Sequence, residues 1–276
     1  MDSGPCITFS TCWYQLKAKF SHDVYGRWIA NMLSNVRNYN LVVYTDAASC
    51  AEAGLGALAD GNPRIRIVVK PMESWHNYSR KATWEANHRA NTLLAGLVDW
   101  RVNMLWSEKV HFVRETVDRK YFDTEWHGWC DIGYFRNRTT GPCGLRDTSI
   151  ELLRDWPSSA KILALDPFKI HYGRVTNDLD FFERCRASIR DGHFLDPSAN
   201  LVAGGFFMLH RDNAVWWAAT YDAKLRHYFD AGQVVKDDQQ IVADCVLSEA
   251  TAACFCMYHE ANGVHDFWFM FQRLLL

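Results

Sequence analysis

Asp131 is a lone carboxylate inside the apolar run Trp126-His127-Gly128-Trp129-Cys130-Asp131-Ile132-Gly133-Tyr134-Phe135-Arg136. Buried and ionised, it needs a cation or hydrogen-bond donors. A hard oxygen ligand of this kind suits Mg²⁺ or Mn²⁺ bridging phosphates, and the competing use is a cap on the loop that follows. Gly133, two residues on, lets a ligand approach the backbone closely. Lys109 carries the complementary charge. It lies three residues after Trp106 and three before Phe112, on a helical stripe with Val102, Leu105, Val113 and Val117. An ammonium on that face either meets a phosphate or carboxylate, or snorkels past the stripe to water.

Other residues are open to two uses. Asp238, in Lys236-Asp237-Asp238-Gln239-Gln240-Ile241, opens a helix. It is either the cap of that helix or a base held at a cleft edge. Asp46 ends Leu41-Val42-Val43-Tyr44-Thr45 and either accepts bonds from a ribose or base, or caps the next turn. Gly204-Gly205 marks a bulge, a close backbone approach or tight packing. Cys254-x-Cys256-x-x-His259 lacks the second paired cluster of a structural zinc site, and His259 or His265 is either structural or part of a catalytic metal site. Gly54-x-Gly56-x-x-Ala59 imitates a dinucleotide fingerprint, but residues 45–53 separate it from the preceding strand, which excludes that site.

These groups need a scaffold, and the pattern supplies strands alternating with helices. Strands are expected over residues 6–12, 41–44, 65–69, 126–132, 162–165 and 201–209. Helices are expected over 22–36, 80–98, 102–119, 213–228 and 238–247. Such alternation implies a mainly parallel sheet covered on both faces. Ligands bind beyond the carboxyl ends of such strands, which points to Asp46 and Asp131. No repeat or linker divides the chain, so one domain over residues 1–276 is expected.

The chain has 276 residues, 49% of them hydrophobic, with 12 Trp, 16 Phe and 11 Tyr. That excludes intrinsic disorder and requires many rings to pack in a core, a pocket or an interface. A net charge of −2 with no run of Lys and Arg gives no footprint for nucleic acid. No apolar stretch is long enough to span a bilayer. Residues 1–14 lack the pattern of an export signal, so a cytoplasmic protein is expected, in host cytoplasm if viral. The 9 Cys then read as reduced thiols.

Trp129-Cys130-Asp131-Ile132-Gly133-Tyr134-Phe135-Arg136 resembles the Trp-x-Asp-x-(Gly or Asp) element of HtrL/YibB-type and related GT-A glycosyltransferases, including chlorovirus enzymes that glycosylate capsid protein. The order of the other motifs is also similar: Thr8 and Thr11, Val43-Tyr44-Thr45-Asp46, Trp106-x-x-Lys109, Gly204-Gly205-Phe206-Phe207 and Asp238-Gln239. The resemblance implies a GT-A fold with a nucleotide-binding half over residues 1–135 and an acceptor-side half over 136–276. It implies a sugar-nucleotide donor, UDP by family habit, a glycan acceptor, and transfer of a hexose or pentose. It implies Mn²⁺ or Mg²⁺ at Asp131, with a distant ligand such as His265, because the second Asp of the family element is Gly133 here. Thr8, Ser10, Thr11 and Asp46 fall where base and ribose are held. Trp106, Lys109, Gly133, Tyr134, Arg136, Gly204, Gly205 and Gln239 join the substrate site, and Asp238 matches the base of an inverting displacement. A non-catalytic carbohydrate-binding module explains the aromatics but not Lys109 or Asp131. A glycoside hydrolase needs two carboxylates flanking one bond.

Overall fold

The computed structural model describes residues 4–141, 144–260 and 263–276; Met1 to Ser3, the start of the segment read above for an export signal, lie outside them. The strands are β1 (Ile7–Trp13), β2 (Asn40–Thr45), β3 (Ile65–Val69), β4 (Trp126–Cys130), β5 (Ile170–Arg174), β6 (Val202–His210) and β7 (Phe255–Tyr258). The helices are α1 (His22–Ser34), α2 (Ala47–Glu52), α3 (Leu55–Ala59), α4 (Lys81–Ala90), α5 (Trp100–Arg119), α6 (Ser159–Leu163), α7 (Leu179–Arg190), α8 (Ala214–Asp230), α9 (Asp238–Leu247), α10 (Glu249–Ala252) and α11 (Phe271–Leu274).

The strands form one sheet in the order β3-β2-β1-β4-β6-β5-β7. β1 pairs in parallel with β2 and β4, β2 with β3, and β5 with β7. β6 alone runs antiparallel to its neighbours β4 and β5. The fold is α/β, with a mainly parallel central sheet flanked by helices. Period-two alternation divides the strand side chains between two cores. Val42, Tyr44, Trp129 and Phe207 belong to one, together with residues of α5, α8 and α9. Phe9, Leu41, Val43 and Phe206 belong to the other, with residues of α1 and α11.

α5 does most to position the site. Asp99 caps its start by accepting from Arg101 N at 2.9 Å, and Lys120 ends it in the left-handed region at φ 49°. Its middle is buried nearly all round, including the charged Glu108 and Lys109. A helix buried this way cannot send both charges to water, so each must find a partner inside.

Two expectations are corrected. Residues 162–165 are not a strand: Ile162 is buried and Leu163 exposed, which makes Ser159–Leu163 a one-sided helical turn. The helix expected over 80–98 stops at Ala90, where Asn91 leaves helical geometry. Cys256 lies in β7, and His259 is exposed just beyond it. That strand, with β5 and α7, was not expected. β5 is polar in sequence, and His171 is tolerated inside because its ring meets Tyr258 Oη at 3.0 Å and Asp166 O at 2.9 Å. Among the described residues, no helix is long and apolar enough to cross a membrane.

β4 and β6 approach closely enough to require glycine at 128. A Cβ there would lie 2.3 Å from Phe207 O and 3.1 Å from the Phe9 ring. Gly128→Ala is expected to destabilise the protein by about 1–3 kcal/mol in urea unfolding. An unchanged midpoint would show that the strands separate freely here.

Candidate active site

The ammonium of Lys109 sits where α5, β4, β6 and α9 meet. It donates to Gly204 O at 2.8 Å. It lies 3.2 Å from Asp131 Oδ1 and 3.1 Å from Asp238 Oδ2. Its three protons thus have three acceptors, and it lies 5.8 Å from the centre of the Trp129 ring. Burial alone would lower the pKa of Lys109, but Asp131 and Asp238 outweigh it and hold the amine above its ordinary value.

Each partner is placed by a local device. Asp237, not Asp238, caps α9, accepting from Gln240 N at 3.2 Å. Gln240 Oε1 reaches back to Lys236 N at 2.8 Å. This leaves the Asp238 side chain to face Lys109. Asp131 follows β4 directly; its N–H donates to Gly205 O at 2.9 Å and its Oδ1 accepts from Trp129 Nε1 at 2.6 Å. The glycine pair makes room for both carboxylates. A Cβ on Gly204 would lie 2.9 Å from Asp238 Oδ2 and 2.6 Å from Gln239 Cγ, and one on Gly205 would lie 3.1 Å from Asp131 Oδ2. Burial pushes the Asp238 carboxyl up to about 7; Lys109 opposes this, while Asp237 and Asp131 add to it.

A cavity of about 620 Å³, counted with its mouth, opens beside this cluster. Its lining includes Trp13, Tyr25, Trp106, Lys109, Asp131 and Arg136. The Arg136 guanidinium lies 4.3 Å from the Trp28 ring centre and 4.8 Å from that of Phe269, and Nε donates to Gly133 O at 2.9 Å. Among the described residues it has no carboxylate partner at ion-pair distance, so it is a half-buried cation placed to receive an anion. Gly133 also lines the cavity, and a Cβ there would lie 2.7 Å from Trp28 Cε3. Trp28 therefore fills the space that a second carboxylate at this position would need.

The remaining sequence-predicted residues separate from this group. Thr8 Oγ1 meets Thr124 Oγ1 at 2.8 Å and Ser10 Oγ meets Thr116 Oγ1 at 2.8 Å, both within the core. Thr11 and Tyr134 are fully buried and line no part of the cavity. For Asp46 the capping use is realised: it accepts from Ser49 N at 2.8 Å and from Ser49 Oγ at 3.0 Å. His265 forms an isolated bridge with Arg146. The cavity instead takes Cys12, Trp13, Tyr14 and Leu16 from the end of β1 and beyond. The rule that ligands gather past the carboxyl ends of strands, applied to β1, would have found them.

Among the described residues, the grouping of three metal-ligating side chains is His76, His111 and Asp222, suitable for a divalent metal and including neither Asp131 nor His265. Nothing in the sequence pattern marked it. His76 and His111 rings stack with centres 3.8 Å apart, and Asp222 Oδ1 lies 3.3 Å from His76 Nε2. Burial pushes His111 down to about 3, so its ring is neutral at pH 7.

No family model and no curated protein matches the chain. Solved structures do, at low identity. The galactosyltransferase LgtC in complex with donor and acceptor sugar analogs is 11% identical, with TM-score 0.46 over 91% of this chain and 72% of that one. Core-mannan synthase A from Aspergillus fumigatus, in an Mn/GDP form, is 9% identical, with TM-score 0.45 over 93% of this chain and 73% of that one. An active-site mutant of LgtC is 12% identical, with TM-score 0.44 over 91% of this chain and 72% of that one. The likeness in each case is one of α/β architecture.

Removing Lys109 strands two carboxylates. Lys109→Met is expected to cost about 3–5 kcal/mol in urea unfolding at pH 8, as for breaking a buried ion pair. The double variant Lys109→Met/Asp238→Asn should recover a large part of that loss. A cost below about 1 kcal/mol would show that the cluster contributes no net order.

Proposed function

We propose that this protein is a GT-A glycosyltransferase that moves a sugar from a nucleotide-diphosphate sugar, UDP-linked by resemblance, to a glycan hydroxyl with inversion. The observation that supports it best is the meeting of Asp131, Lys109 and Asp238, from three distant parts of the sequence, at the edge of an aromatic cavity. In this reading residues 1–135 form the donor side and residues 136–276 the acceptor side. Trp13, Tyr25 and Trp106 give the cavity apolar walls against a base or a sugar face. Arg136 and Lys109 are the cations that meet the diphosphate.

The donor set around Asp131 fits a divalent ion of the Mn²⁺ or Mg²⁺ type in a limited way. The Asp131 side chain is 38% exposed and its Oδ1 is already bonded, so Oδ2 is the oxygen left to offer. Such ions commonly take one or two carboxylates and complete their shell with substrate phosphates and water. Held there, the ion would neutralise charge on the leaving diphosphate. The protein's own cations serve the same end. As the acceptor oxygen attacks the anomeric carbon, the bond from that carbon to the diphosphate oxygen breaks and the electron pair leaves with the diphosphate. The acceptor proton passes to Asp238. Because the ammonium that now satisfies Asp238 is also the one that meets the diphosphate, donor binding and release of Asp238 are linked.

Donor hydrolysis should be screened over sugar nucleotides with and without Mn²⁺. Asp131→Ala is expected to abolish transfer. Asp238→Asn should bind donor at least as well as the wild type, since Lys109 is then freer to meet the diphosphate, and lose about 10²–10⁴-fold in kcat, the usual contribution of a general base. The base must be ionised, so the rate should rise with pH through about 7 in the wild type. Full activity in Asp131→Ala, or sugar release from an aryl glycoside without any nucleotide, would overturn the proposal.

A further inference from the structure

The other face of α5 holds a second set of ligating groups. His111 is two residues after Lys109, about 200° around the helix, so the two side chains leave α5 in nearly opposite directions. His111 comes from α5, Asp222 from α8, and His76 from the 3₁₀ turn His76–Arg80. One ligand atom from each lies within 4.8 Å of the others. His111 is 8% exposed, and its Nε2 is buried without a hydrogen-bond partner. A buried imidazole nitrogen with no partner is costly unless something outside the protein completes it.

We propose that His76, His111 and Asp222 bind a zinc-class divalent ion that pins the His76–Arg80 turn and α8 to α5, separately from the Asp131 site. Two imidazoles and one carboxylate form a donor set suited to Zn²⁺ more than to Mg²⁺. Arg80 holds both oxygens of Asp222, Nη1 at 2.7 Å from Oδ1 and Nη2 at 3.3 Å from Oδ2, and Arg226 Nε lies 3.3 Å from Oδ2, so Oδ2 keeps its partners while Oδ1 exchanges its Arg80 contact for the ion. Glu108 holds the turn that carries His76, accepting from His76 N at 2.5 Å and Asn77 N at 3.0 Å. An open groove lined by Lys70, Ser74, His76, Glu108 and His111 gives the ion a path from solvent. The stacked rings cannot both point a nitrogen at one ion, so the His76 ring, whose side chain is 44% exposed, turns about its side-chain bonds on binding.

The test is titration of the full, metal-stripped chain with Co²⁺ as a spectroscopic stand-in for Zn²⁺. The expected result is one equivalent bound with visible bands of an N/O ligand field, competed away by Zn²⁺. Zn²⁺ should also raise the Tm. His76→Gln, at an exposed ring that does not threaten folding, and His111→Gln should each weaken binding at least tenfold. Unchanged affinity in both variants, absence of uptake, or bands from cysteine thiolate would each overturn the proposal.

Discussion

One ammonium organises the centre of this protein. Lys109 is buried, and burying an unpaired charge costs several kcal/mol. The site is arranged around avoiding that cost. α9 is capped by Asp237 so that Asp238 can turn inward, and β6 carries two glycines so that both carboxylates fit. The Gly204 carbonyl supplies the third acceptor. Sheet register, helix capping and glycine placement are thus coupled through one residue.

The same arrangement gives the site its chemistry. Three negative carboxylates, Asp131, Asp237 and Asp238, gather near one another, and burial with mutual repulsion raises Asp238 towards neutral pH. Lys109 pairs with Asp131 and Asp238, and Lys236 with Asp237. Beside it, Arg136 is held among aromatic rings with no carboxylate partner at ion-pair distance among the described residues. Arg136, Lys109 and Asp131 line the cavity, and Asp238, which does not, is joined to it through Lys109; such a set is suited to an anionic leaving group and a proton acceptor.

Much of this was legible in the sequence, and the failures have physical causes. Lys109 and Asp131 stood out because charge on an apolar stripe or strand is expensive, and the structure joins them. Gly204-Gly205 stood out as a close approach, and what approaches is protein carboxylate. Thr8, Ser10 and Asp46 were open to two uses because hydroxyls and carboxylates also serve cores and caps, and spacing does not say which; here they make core and cap contacts. β5 was hidden because His171, Gly173 and Arg174 break its apolar pattern, and β7 because it is apolar over only four residues. The His76, His111 and Asp222 grouping had no local signal, since its members lie on three elements far apart in sequence.

The central claim is that the Lys109 cluster and the aromatic cavity form a donor site. A crystal structure of the protein with a nucleoside diphosphate tests it most directly. The account predicts the diphosphate within hydrogen-bond reach of Lys109 Nζ and Arg136, with the base among the rings of Trp13, Tyr25 and Trp106. A diphosphate bound instead in the groove of Lys70, Arg114 and Arg119 would contradict it.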